Sequence, residues 1–272
     1  SAGGAPARFQ LQRDAGTLDC EGWFKGGRGA GHFTFTANQA FVSELGKIGY
    51  DRLPTEKLFV MAVHDISMDY IQELKEIGYE RLPFDKLIAM GIHRVTPKFI
   101  LDFRARGYAD IPADDLVAMR IHGVSGEFVE ALEAAGYKRP PVDQLVAMRI
   151  HGATPEFIRE MRALGYERLS SDDLVAMRIH GVGPEFVKEF ESIGYQRPSA
   201  EHLVAMRIHG VTPEFVKELK AAGYDRVDVE DLIAMRIHGV TVSFIEKMRA
   251  RGFKDLTVEE LVNLRIHGIG EK

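Results

Sequence analysis

The sequence predicts a mainly α fold: an α-solenoid of eight two-helix repeats of 29 residues, capped at its N-terminus by a small antiparallel β meander over residues 1–36. Three observations predict it. The pentapeptide "MRIHG" stands at 119–123, 148–152, 177–181, 206–210 and 235–239, and a variant "LRIHG" closes the series at 264–268. Each interval holds two short helix-like stretches, the first closed by Gly-Tyr and the second by His-Gly. The first 36 residues instead alternate apolar and polar residues, which is the period of a strand.

The strands come first. "RFQLQR" and "TLDCEGWF" alternate, with Phe9, Leu11, Leu18, Cys20 and Phe24 on one parity, and "HFTFT" does the same through Phe33 and Phe35. Asp14-Ala15-Gly16 and "KGGRGAG" separate the three runs. So small a sheet needs a surface to pack on, and the exposed side of the first helical block is the expected one. The first strand also reads as the end of a larger β domain. "GGRGAG" (26–31) has the glycine content of a phosphate loop, but an alternating strand follows it where a helix is required, so it is expected to be a flexible hairpin loop.

Residues 37–268 divide into eight blocks of 29, with a tail at 269–272. Length alone suggests two domains; the period overrides that. Block 211–239, "VTPEFVKELKAAGYDRVDVEDLIAMRIHG", shows the mechanics. Thr212 is placed to cap a helix, Pro213 suits its first position, and Glu214 favours the positive end of its dipole. Phe215, Val216, Leu219 and Ala222 form an apolar stripe at helical spacing. Gly223 ends the helix as a left-handed residue, with Tyr224 folding back on the last turn, as Gly165 and Tyr166 do two blocks earlier. The eighth block has Gly252-Phe253 in place of Gly-Tyr, so the ring is expected to matter there and the hydroxyl to be dispensable. Asp228 is the expected cap of the second helix. Leu232, Ile233, Met235 and Ile237 are apolar on more than one side, which predicts an inner helix covered on several faces, closed by Gly239. Helices of about ten residues are marginal alone and gain stability by stacking. The end blocks differ as caps do: "MAVHD" and "MGIHR" lack the arginine and the glycine, and the chain finishes in the polar "IGEK".

Composition narrows the function. With 35 Lys and Arg against 40 Asp and Glu the net charge is −5, opposite in sign to a general nucleic-acid binder. The single cysteine, Cys20, builds neither a disulfide nor a thiolate zinc site and reads as a small core residue. No apolar run approaches the roughly 20 residues of a membrane span, so this segment is not expected to insert. The opening residues lack the charged-then-apolar pattern of a signal peptide.

Two ladders are candidate sites. The histidines His64, His93, His122, His151, His180, His209, His238 and His267 keep strict register. Zinc holds its ligand atoms about 2 Å away, whereas equivalent atoms of stacked blocks are about 8–10 Å apart, and no block supplies a second ligand. The expected role is structural: the ring in the last helical turn bonds an unpaired carbonyl. Neither a metal, a cofactor nor a catalytic group is assigned. The arginines Arg120, Arg149, Arg178, Arg207, Arg236 and Arg265 form the second ladder. One reading pairs each with the acid opening the next first helix, as Arg149 with Glu156, Arg178 with Glu185 and Arg207 with Glu214; the other makes them a stripe that grips carboxylates or phosphates. Because residues 1–36 hold four basic and three acidic groups, the blocks carry more than the whole negative balance, which opposes bulk capture of a polyanion. The links after Gly-Tyr, such as "ERLSSD" and "QRPSAE", vary most and are where partner specificity is expected.

"GVTPEFVKELKAAGY" with "LVAMRIHG" resembles a tandem αα-repeat of uncharacterised bacterial proteins, the repeat region that follows some membrane-bound metallopeptidases of the β-lactam-sensor type. "GTLDCEGWFKGGRGAGHFTFT" resembles the β segment leading into those repeats. The resemblance implies a setting on the outer side of a bacterial membrane; the peptidase motif is absent, so peptidase chemistry is not carried over. "VTPEFV" is also faintly similar to the DNA-reading repeats of plant-pathogen effectors, but those have longer blocks and a paired base-reading position that this chain lacks. The expected function is a non-catalytic, monomeric scaffold binding a protein or peptide. The alternatives are polyanion or nucleic-acid binding through the arginines, and a passive spacer.

Overall fold

The computed structural model describes residues 4–270, so the parts of the expected meander and tail at 1–3 and 271–272 lie outside it. The architecture is mainly α, with one three-stranded sheet and a succession of short helices packed on their neighbours. The chain forms two compact units, Ser1–Gly126 and Glu127–Lys272.

In the first unit, strands β1 (Ala5–Arg13), β2 (Gly16–Lys25) and β3 (Arg28–Ala37) pair antiparallel in chain order. The register sets Leu11 against Leu18 and Leu18 against Phe35, and likewise Phe9 against Cys20 and Cys20 against Phe33. These side chains therefore share one face. Six helices follow: α1 (Gln39–Lys47), α2 (Thr55–Val63), α3 (Met68–Glu76), α4 (Phe84–Ile92), α5 (Pro97–Ala105) and α6 (Ala113–Ile121). Part of the apolar sheet face rests on α2, where Phe59 stacks on Phe33 at 5.3 Å and meets the edge of Phe35 at 5.6 Å. The backbone N–H of Asn38 donates to the Ala15 carbonyl, and Asp14 accepts from the backbone N–H of Met68. An ion pair joins Arg13 to Asp65 at 3.0 Å. The sheet thus belongs to one compact body with the helices it caps. "GGRGAG" is less of a loop than expected. Only Gly26-Gly27 turns, both at positive φ as a two-residue hairpin turn requires; Gly29 and Gly31 lie within β3.

The second unit opens at the start of α7 (Gly126–Ala134). It continues through α8 (Val142–His151), α9 (Pro155–Ala163), α10 (Ser171–Ile179), α11 (Pro184–Ser192), α12 (Ala200–His209), α13 (Pro213–Ala221), α14 (Val229–Ile237), α15 (Val242–Ala250) and α16 (Val258–Ile266). The second helices form a row, α8 on α10, α10 on α12, α12 on α14 and α14 on α16. In block 211–239 the Thr212 hydroxyl accepts from the N–H of Phe215, with Pro213 at the first helical position. Gly223, at φ 92°, donates to the Lys220 carbonyl, and the N–H of Tyr224 donates to Leu219. That pair of bonds is a Schellman closure. Phe215, Val216 and Leu219 bury the first helix, Leu232 and Met235 the second. The second helix closes in the same way, with Gly239 at φ 70° and Val240 bonded back to Met235. Asp228 holds the N-cap position of α14, but its side chain makes no capping bond.

Candidate binding surface on the second helices

The ladder histidines are C-cap residues or, at His151 and His209, the last helical residue. Most are exposed. The expected ring-to-carbonyl bond exists at His267, whose Nδ1 lies 2.8 Å from the Asn263 carbonyl. It does not recur at His64, His93, His151, His180, His209 or His238, whose rings have no hydrogen bond among the described residues. The reason is the Schellman closure: the backbone N–H groups of the two residues after each histidine, Gly and Val at 181–182, 210–211 and 239–240, already satisfy carbonyls of the last turn. No cluster of three or more His, Cys, Asp or Glu able to hold a metal occurs among the described residues.

The arginines turn backward. Nε of Arg120 donates to the His93 carbonyl, Arg178 to His151, Arg236 to His209 and Arg265 to His238, at 3.1–3.4 Å; Arg207 reaches Gly181 at 3.2 Å. Each guanidinium also lies over the phenylalanine of its own block's first helix: Arg120 over Phe99, Arg149 over Phe128, Arg178 over Phe157, Arg207 over Phe186, Arg236 over Phe215 and Arg265 over Phe244, with 4.2–5.1 Å to the centroid. Among the described residues no ion pair joins Arg178 to Glu185 or Arg207 to Glu214. The carbonyl-rich end of the preceding helix attracts a cation, whereas Glu156 finds partners at its own helix start. Its own backbone N–H and the Thr154 hydroxyl, helped by Arg159, hold that carboxyl below the usual glutamate range.

The first two blocks, which lack this arginine, fill the place differently. Ala62 is buried, and a Cβ at Gly91 would overlap the Ile66 side chain. Tyr70 replaces the stacked phenylalanine, and its hydroxyl donates to the Val95 carbonyl at 2.8 Å.

The tyrosines after each glycine overturn the expectation that the hydroxyl is dispensable. Tyr50 donates to Leu82, Tyr79 to Ile111, Tyr137 to Leu169, Tyr166 to Pro198, Tyr195 to Val227 and Tyr224 to Leu256, each to a backbone carbonyl 32 residues on, at 2.6–2.8 Å. The hydroxyl ties one block to the link of the next. The eighth block carries Phe253, a ring without a hydroxyl, at this place. A further clamp was not foreseen: Arg104, Arg162 and Arg249 donate to the carbonyls of Ile77, Ala135 and Ala222 and lie over Tyr79, Tyr137 and Tyr224.

The second helix is not covered on several faces. Its Leu and Met, three residues apart, are buried, while the isoleucine two residues past the methionine faces away from them. Ile150, Ile179, Ile208, Ile237 and Ile266 of the second unit are each 51–54% exposed; Ile92 and Ile121 hold the same place in the first unit. Apolar content alone could not reveal this open row, but the fixed offset from Leu and Met to Ile could have. No family model matches the chain, and comparisons with curated proteins and with solved structures find no match.

Proposed function

We propose that this chain is a non-catalytic scaffold whose helical repeats bind a protein or peptide partner along the open face of the second helices. One observation carries the reading: a half-exposed isoleucine recurs at the same place in every second helix from α8 to α16. Aliphatic side chains left open in a repeated row mark contact surfaces more often than isolated ones do. Repeat architectures offer such extended surfaces. The ladder arginines support polyanion capture less well, because their guanidinium groups already serve a ring and a carbonyl.

The test is selection of binding peptides from a displayed library by the intact chain, repeated with Ile179→Ser, Ile208→Ser and Ile237→Ser combined. Loss of the selected binders with an unchanged circular dichroism spectrum supports the surface. Retention of the binders by the folded variant removes it. Binding that collapses steeply with salt and follows Arg149, Arg178 and Arg207 instead would favour the polyanion reading.

A further inference from the structure

Within Glu127–Lys272, the open face of each second helix carries more than isoleucine. Its second residue is always acidic: Asp143, Asp172, Glu201, Glu230 and Glu259, all exposed. The acid precedes the exposed isoleucine by seven residues, which is about 10.5 Å along a helix axis and brings both to one face. Between them lie small or half-buried aliphatic residues such as Val146 and Ala147. Since α8, α10, α12, α14 and α16 pack one against the next, the acids line one edge of this face and the isoleucines the other. Neighbouring members of either row are spaced by helix packing, about 8–10 Å.

The acidic edge is only partly compensated from within. In the first unit, Lys57 and Lys86 reach across one block to Asp85 and Asp114 at 2.5 and 2.6 Å. The equivalent positions of the second unit are Gln144, Asp173, His202, Asp231 and Glu260, with no lysine among them. Gln144 and His202 contact Asp172 and Glu230. Asp143, Glu201 and Glu259 have no side-chain hydrogen bond or ion pair among the described residues. The crowding is felt by Asp231: desolvation, then the charges of Asp228, Glu230 and Glu259, hold its carboxyl above the usual aspartate range. The ladder arginines sit toward the opposite ends of these helices, on their rings and carbonyls.

Resting on the reading of this face as a partner surface, we infer that the partner segment is cationic and aliphatic. It carries lysine or arginine along one edge, over the acids, and branched or linear aliphatic side chains along the other, over the isoleucines. Matching groups recur every ~10 Å, which corresponds to two turns of an α-helix or three residues of an extended chain. An anionic lipid surface or a nucleic acid would meet the acidic edge with like charge.

The probes are fluorescent peptides of equal length composed of Lys/Leu, Glu/Leu, Ser/Leu and Lys/Ser, titrated with the intact chain at physiological salt. The Lys/Leu peptide is expected to bind about ten-fold tighter than the other three. Asp143→Asn with Glu201→Gln and Glu259→Gln should abolish that preference. The triple isoleucine-to-serine variant should abolish binding, and both variants should keep the parent circular dichroism spectrum. Equal or tighter binding of Glu/Leu or Ser/Leu that still depends on the isoleucines overturns the cationic partner and leaves the surface standing. Equal binding of Lys/Ser overturns its aliphatic half. Absence of any isoleucine-dependent binding overturns both the inference and the reading beneath it.

Discussion

At the scale of single residues, the histidine that the sequence makes most conspicuous does little bonding, and the tyrosine hydroxyl that the sequence makes look dispensable joins consecutive blocks. His180 is an exposed C-cap without a side-chain bond, so His180→Ala should change stability by no more than ~0.5 kcal/mol. Gly165 sits at φ 86°, a region that a β-branched residue enters only with strain, so Gly165→Val should cost ~1–2 kcal/mol. Denaturant titration of the two variants checks the order, and a larger loss from the histidine would return it to a structural role. Tyr166 and Tyr195 should each lose ~0.5–1.5 kcal/mol on replacement by Phe, through the unmade bonds to Pro198 and Val227. These phenols also set an alkaline limit. Burial pushes the Tyr166 hydroxyl up to about 12 from its ordinary value of 10.0, with the Glu191 charge adding to the rise and Arg197 opposing it. A group whose pKa is raised by folding binds its proton more tightly in the folded chain, so its contribution is complete below about pH 10. It declines above that and is gone once pH passes the folded value. The melting temperature should therefore fall between about pH 10 and 12, and fall less in Tyr166→Phe/Tyr195→Phe. An equal fall in that variant would assign the alkaline loss to other groups.

At the scale of the element, the legible features were those written in local chemistry. Thr-Pro starts and Gly-Tyr ends give the first helix its limits, because caps and left-handed turns depend on a few adjacent residues. Thr96, Thr154, Thr212 and Thr241 all accept from a phenylalanine N–H three residues on. Less legible was the exposure of the second helix, since Ile237 is as apolar as the buried Met235 and only the placement of neighbours separates them. The direction of the arginines was hidden for a related reason: their acceptors are backbone carbonyls 26 or 27 residues back, and carbonyls carry no sequence signature. Two contrasts test these assignments. Thr212→Ala should cost ~1 kcal/mol and Asp228→Ala clearly less, since only the threonine makes a capping bond. Arg178→Ala should cost ~1 kcal/mol from the lost carbonyl bond and stacking over Phe157, and Arg178→Lys should recover little of it, because an ammonium lacks the planar face. Full recovery by lysine would show that charge alone matters.

At the scale of the whole molecule, the bonds that cross from block to block repeat at fixed sequence separations, so each block offers its successor the same acceptors. Within Glu127–Lys272 this makes whole blocks exchangeable in a way that fragments of a block are not. Removing residues 182–210 joins Gly181 to Val211, a glycine–valine pair like those at 181–182, 210–211 and 239–240, with the incoming valine as buried as Val182 was. Tyr166 then finds the Val227 carbonyl where it had Pro198, and Arg236 finds His180 where it had His209. The shortened chain should stay helical and unfold at a lower temperature, having lost one block and one block-to-block contact. Removing only 182–195, the first helix and its closure, leaves α12 without Phe186, Val187 and Phe190, the buried side chains it shares its block with. It also breaks the 27- and 32-residue separations on both sides of the cut. That variant should lose helical signal far beyond its missing residues. Circular dichroism melts of the two deletions decide the matter, and equal damage from both would mean that the blocks are held by long-range packing and not by their period.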